Sequence, residues 1–277
     1  MSEKRTRPAD LTRWVVTLPP TLFLLLFFLA PALIVVTASF REPGEFGGLA
    51  PWPARSLDAY RFLFGDIIYL EIFARSFLVA FLTTLICIVL AYPLAWLIAR
   101  SPARRRDLLV LLVVLPFASN FLVRIYAWMI LLGPASLLYT PFAVVAGMVY
   151  VHLPFMILPL YTNLEKHDPA LLEAAQDLGA NAWTRFWRVT FPLSLPGVFA
   201  GSALVFIPVL GMFAVPELLG GTGDLLIGNL IKEQFLEDRD WPLGSALSMM
   251  LTLAVLALSG LTAWSARKEL HDTEAAA

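Results

Sequence analysis

A single cysteine, Cys87, stands inside an apolar run of this 277-residue chain. That scarcity excludes a disulfide framework within the chain and leaves no Cys-based metal or iron–sulfur site. Histidine is nearly as rare: His152, His167 and His271 are scattered, so no His cluster with ligand spacing exists. Charge is sparse and balanced, with 15% charged residues and 20 Lys+Arg against 21 Asp+Glu. A net charge of −1 supplies no basic field for a nucleic-acid partner. What fills the chain instead is apolar: 59% hydrophobic residues and a mean hydropathy of +0.76, well above a soluble globular chain.

The apolar residues are gathered into long runs. A span needs about 20 mostly apolar residues, because the hydrocarbon core is roughly 30 Å thick and a helix rises about 1.5 Å per residue. Six runs meet that length: Trp14 to Phe40, Ser76 to Ala99, Leu108 to Leu132, Pro141 to Tyr161, Val198 to Leu219 and Trp241 to Ala266. Gly133 and Pro134 separate the third run from the fourth, and Arg124 is the one charge from Leu108 to Asn163. The expected fold is all-α, a polytopic membrane protein of six transmembrane helices lying in a lipid bilayer. Lys4, Arg5, Arg7 and Arg13 precede the first run, as in a secretory signal. Its length exceeds the roughly 7 to 15 residues of a signal core and no small-residue cleavage site follows, so it reads as a retained span.

Orientation follows from Lys and Arg. Thirteen fall on one side: those at the amino terminus, Arg100, Arg104, Arg105, Arg106, Lys166, Arg185, Arg188, Arg267 and Lys268. Five fall on the other: Arg41, Arg55, Arg61, Lys232 and Arg239. Both termini are therefore expected in the cytoplasm, with residues 1–13 as a cytoplasmic segment. The loops Arg41 to Glu71 and Gly220 to Asp240 are expected outside.

Most of the remaining cytoplasmic chain is one loop, residues 162–191. Asp168 before Pro169 spells a helix start, an oxygen to cap free amides followed by a ring already set for the first helical position. Leu171, Leu172, Ala174, Ala175 and Leu178 give an apolar face, and Gly179 allows a tight turn. Asn181 can cap a second short helix with Trp183, Phe186 and Trp187 at i, i+3 and i+4, which Pro192 and Pro196 are expected to end. So apolar an elbow marks either a protein contact or a pair of helices lying on the lipid interface.

The order Glu173-Ala174-Ala175, Asp177, Gly179, then Phe191-Pro192 and Pro196-Gly197 resembles the EAA loop of permease subunits of bacterial ABC importers, the binding-protein-dependent inner-membrane components. Ser119 to Tyr126, Val149-Tyr150 through Leu160-Tyr161, Pro216 to Gly221, Leu226 to Asn229 and Arg239 to Pro242 are similar to the spermidine/putrescine branch. The connection Gly133 to Thr140 is shorter than in that branch. The resemblance implies a type I importer permease in the bacterial inner membrane, with a coupling loop formed by Glu173, Ala174, Ala175, Asp177, Gly179 and Phe186 docking on a cytoplasmic ATPase dimer. It also implies a second permease, a periplasmic binding protein and polyamine cargo. Another small solute of the same family, or a self-contained secondary transporter, are the alternatives.

No catalytic residues, metal or cofactor are expected in this chain. A Walker A loop needs a Lys followed by Ser or Thr, and none of Lys4, Lys166, Lys232 or Lys268 is. ATP and Mg would belong to the partner. An intramembrane serine protease would want a Ser nucleophile within reach of a His base. Only His152 lies within a span, and Gly201-Ser202 and Gly244-Ser245 read better as helix packing. Arg124 and Glu217 remain as intramembrane charges, each unfavourable by about 2.5 to 3.5 kcal/mol at mid-span on insertion scales. On six straight spans both fall in the outer third. They either pair with each other, reach the outer interface, or line the pathway, where Glu217 attracts a cation and Tyr126, Trp128 and Tyr150 offer aromatic faces. Pro208 and Pro216 permit bends in the fifth span.

Overall fold

The computed structural model describes the backbone of residues 9–275 and the side chains of residues 16–260. In chain order the helices are α1 (Ala9–Leu24), α2 (Ala30–Ala38), α3 (Asp58–Gly65), α4 (Ile67–Arg100), α5 (Ala103–Val114), α6 (Phe121–Leu132), α7 (Pro141–Leu164), α8 (Pro169–Asp177), α9 (Ala182–Arg185), α10 (Phe191–Gly211), α11 (Ala214–Leu219), α12 (Ile227–Leu236) and α13 (Trp241–Ala275). Among the described residues there is no strand, only isolated bridges pairing Arg41 with Arg55 and Pro43 with Leu49. Among the described residues five helical stretches are long and apolar enough to cross a membrane: Val16–Ala38, Ile67–Arg100, Pro141–Leu164, Ala182–Gly211 and Trp241–Gly260. A sixth exists if the pair Ala103–Ala118 and Phe121–Leu132, bent by 91°, counts as one span.

The third span is thus not the single helix expected from its hydropathy. Pro116 sits in a 3₁₀ turn, Leu115–Ala118, Ser119 is extended, and the Asn120 side chain accepts from the Leu122 amide to start a new helix. Hydropathy carries no term for backbone capping, so the run reads as continuous although the chain turns a corner. The second span is longer than expected. At 34 residues α4 measures about 51 Å, so Glu71 stands on the helix rather than in the loop before it. The last helix begins at Trp241 as expected, with Asp240 accepting from the Leu243 amide. The amino-terminal segment 1–13 lies largely outside the described residues.

The proline positions also correct an expectation. Pro192 and Pro196 do not end a helix: α9, a π turn over Phe186–Thr190 and α10 run on as one span. A proline ring crowds the carbonyl four residues earlier. For Pro192 that is Arg188, inside the wider π turn, and for Pro31 it is Phe27, inside the π turn Leu25–Leu29. In both spans the widened turn absorbs the strain without breaking the helix.

The chain divides into two compact units, residues 67–230 and residues 1–66 with 231–277. In the first unit α4, α7 and α10 pack against one another. Their contact faces are small. Ala80, Thr83, Cys87, Ala91 and Ala95 recur every three or four residues along α4 and are fully buried. A Cβ on Gly201 would fall 2.6 Å from the Met156 sulfur, and one on Gly197 would fall 2.7 Å from Asn163 Cβ. Association within lipid gains little from burying apolar surface, so close backbone approach and interhelical hydrogen bonds take over that role. His152 is buried with Nδ1 on the Met148 carbonyl at 2.8 Å, a tie to its own helix. In the second unit α13 packs on α2 and α3, and the ring of Trp52 lies under the guanidinium groups of Arg41 and Arg55.

Candidate coupling elbow and pathway residues

The elbow is two short helices joined by a tight turn, and each cap spelled in the sequence is formed. Asp168 accepts from the Ala170 amide at 2.9 Å with Pro169 in the first helical position, and Asn181 accepts from the Thr184 amide at 2.8 Å. Between them α8 ends in a Schellman turn: Ala180 donates to the Ala175 carbonyl, Gly179 donates to Gln176, and Gly179 has φ +79°. The second Ala of the Glu-Ala-Ala triplet therefore supplies the carbonyl that closes the turn. Arg185 Nη1 donates to Gln176 Oε1 at 2.8 Å and braces the two helices.

Glu173, Ala174, Asp177 and Gly179 are exposed, Ala175 and Phe186 half-buried. Around them are apolar side chains that water would not retain without a reason: Leu178 is 89% and Trp183 71% exposed. Behind this face Trp183, Phe186, Trp187 and Phe191 form a ring cluster with centroids 5.1 to 6.4 Å apart. The cluster continues into the spanning helices through Tyr92 of α4. Its ring meets Phe186 edge-on at 5.2 Å and its hydroxyl lies 2.9 Å from Ser194 Oγ. A further tie joins Arg106 of α5 to Glu165, the residue after α7.

The fifth span is broken where the prolines allow. α10 ends at Gly211, Met212 is extended, and Glu217 rides on the separate helix α11, exposed in its first turn. The break is stitched by groups from further along the chain. Asn229 Nδ2 donates to the Phe213 carbonyl at 3.0 Å, and a Cβ on Gly228 would fall 2.7 Å from the Gly211 oxygen. Ser76 Oγ accepts from the Ile227 amide at 2.8 Å. Arg75 forms an ion pair with Asp224 at 2.6 Å and also donates to the Gly223 carbonyl.

Of the pathway candidates, the structure brings Trp128 and Tyr150 together, with centroids 5.7 Å apart. Tyr126 is half-exposed on α6, and α11, which carries Glu217, packs against both α6 and α7. Arg124 does not pair with Glu217. Its guanidinium stands 5.7 Å from the Phe117 ring centre and 6.0 Å from that of Phe121, with Nε buried and without a hydrogen bond. The bend before Asn120 also removes the straight-helix estimate of its depth. Sequence reasoning missed Tyr92, Ser194, Arg75 and Asn229 as structural ties. The available signal was position: Tyr92 and Ser76 lie among the buried residues of α4.

The fold is shared with solved transporters. The chain superposes over 94% of its length on 96% of a chain in the crystal structure of a bacterial ABC transporter that imports the acidic polysaccharide alginate, with TM-score 0.70 and 17% identity. A structure of a bacterial alginate ABC transporter in complex with alginate pentasaccharide-bound periplasmic protein matches over 90% of this chain and 91% of that one, with TM-score 0.65 and 17% identity. This is the all-α, polytopic architecture of type I importer permeases. The chain belongs to the family of binding-protein-dependent transport system inner membrane components, which it matches over residues 74–269. It is 41% identical to the spermidine/putrescine transport system permease protein PotB of Escherichia coli (strain K12), over 90% of this chain and 95% of that protein. To the protein of the same description from Haemophilus influenzae it is 42% identical, over 85% of this chain and 87% of that protein.

Proposed function

We propose that this chain is the permease subunit through which an ATP-driven importer moves a polyamine from periplasm to cytoplasm. The observation that carries the cargo is the 41% identity to a spermidine/putrescine permease over nearly the whole chain. The elbow supports the energy coupling. A rigid, capped, exposed apolar turn suits a groove on a cytoplasmic ATPase subunit, which would hold ATP and Mg and perform the hydrolysis. Glu173, Ala174, Ala175, Asp177, Gly179 and Phe186 form the docking turn. The excess of Lys and Arg on one side supports placing both termini and residues 162–191 in the cytoplasm. A second permease completes the pathway, and a periplasmic binding protein delivers the cargo.

A polyamine is a set of ammonium groups on an apolar stem, so its path needs a carboxylate and aromatic faces. Glu217, with Tyr126, Trp128 and Tyr150 on neighbouring helices, fits that requirement. Arg124 is kept apart from Glu217 by its place over Phe117 and Phe121. The test is reconstitution of the chain with candidate ATPase, second-permease and binding-protein partners. Putrescine or spermidine should stimulate ATP hydrolysis and accumulate in proteoliposomes. Stimulation by another solute but by neither amine would refute the cargo, and a permease that concentrates solute without the ATPase would refute the class of mechanism.

A further inference from the structure

The π turn between the elbow and α10 is spanned by one side chain from a third helix. Tyr92 of α4 touches both sides of it: Phe186, the first residue of the turn, and Phe191 and Ser194, in the first turn of α10. The hydrogens fix the direction of the polar contact. Ser194 Oγ lies 2.8 Å from the Phe191 carbonyl and spends its one hydrogen there, so Tyr92 must donate to Ser194 at 2.9 Å. Both groups are buried. A π turn is a place where a helix can change register by one residue, and it recurs at functional sites. Left alone, this one would let the elbow swing without disturbing the spans.

We propose that Tyr92 is a positioning residue for energy coupling: its ring, set against Phe186, and its hydroxyl, bonded to Ser194, lock the π turn so that movement of the elbow is carried into α4 and α10 together. The inference rests on the reading of the elbow as the ATPase-docking turn. Without the lock, ATP-driven displacement of the elbow is absorbed by the π turn, and hydrolysis continues while transport falls.

The experiment uses the full complex in proteoliposomes and reads polyamine uptake per ATP hydrolysed, alongside the yield of assembled complex. Y92F keeps the ring and removes the donor, leaving Ser194 satisfied by Phe191; uptake per ATP should fall about fivefold at unchanged yield, the factor that corresponds to one net hydrogen bond. S194A leaves a buried tyrosine hydroxyl without its acceptor and should fall further, and the double variant should return to the level of Y92F. An unchanged ratio in Y92F and S194A overturns the proposal, as does a double variant in which the two losses multiply. A yield that drops in step with uptake also overturns it, since that marks Tyr92 as packing only. Failure of the underlying reading looks different: the wild-type chain itself would then assemble with no ATPase.

Discussion

Gly179 offers a perturbation whose magnitude can be worked from geometry alone. It holds φ +79° at the corner of the Schellman turn, and nothing lies within 4 Å of where a Cβ would be. A side chain there meets no neighbour, so the whole penalty is backbone strain in the left-handed region. For an ordinary L-residue that is about 1 to 2 kcal/mol, lower for Asn and higher for a β-branched residue. The population of elbow in its docking geometry should then fall roughly fivefold for Gly179→Ala and roughly thirtyfold for Gly179→Val, at about 1.4 kcal/mol per tenfold, while Gly179→Asn stays near wild type. Because the cost is confined to an exposed corner, membrane insertion and thermal stability of the spans should be unaffected. The assay is the affinity of the detergent-solubilised permease for its ATPase partner, measured across the four proteins. An order of Gly, Asn, Ala, Val is expected. Equal affinity for Gly and Val would refute the reasoning, and Asn weaker than Val would show that side-chain bulk, not φ, governs the contact.

Gly197→Ala tests the packing of α7 on α10: its Cβ would sit 2.7 Å from Asn163 Cβ and 3.2 Å from Leu160 Cα. Overpacking of this kind costs about 1 to 3 kcal/mol, so the unfolding temperature in detergent should drop, and an unchanged value would show that the two helices can separate freely. Reporter fusions after Lys166 should report cytoplasm and fusions near Lys232 the external side; Lys166 outside would overturn the docking assignment. Glu217→Gln should reduce polyamine uptake while the complex still assembles and hydrolyses ATP, whereas lost assembly would make Glu217 a packing residue. Asp168→Ala should weaken the start of α8 by about 1 kcal/mol, read as lower ATPase affinity, because the Ala170 amide loses its acceptor.

Much of this molecule was legible in order of residues because its determinants are local. A span is a length of apolar chain, so the positions of the first, fourth and last spans could be read from composition. A cap is an oxygen two or three residues from the amide it satisfies, so Asp168 and Asn181 announced the elbow's helices, and Gly179 its corner. What escaped was the continuity of helices. Whether a proline breaks a helix depends on what becomes of the carbonyl before it. At Pro192 a π turn absorbs the clash and the helix continues; after Pro208 the helix ends at Gly211, and Asn229, 16 residues on, adds a second hydrogen bond to the Phe213 carbonyl that already accepts the Glu217 amide. The same holds for the charges. Composition places Arg124 and Glu217 in apolar runs, but only the bend at Asn120 and the break at Met212 decide that one lies over aromatic rings and the other on a separate helix. Hydropathy and caps are properties of neighbours in sequence. The second partner of the Phe213 carbonyl, and that of Tyr92 across 102 residues, exist only once the chain has folded.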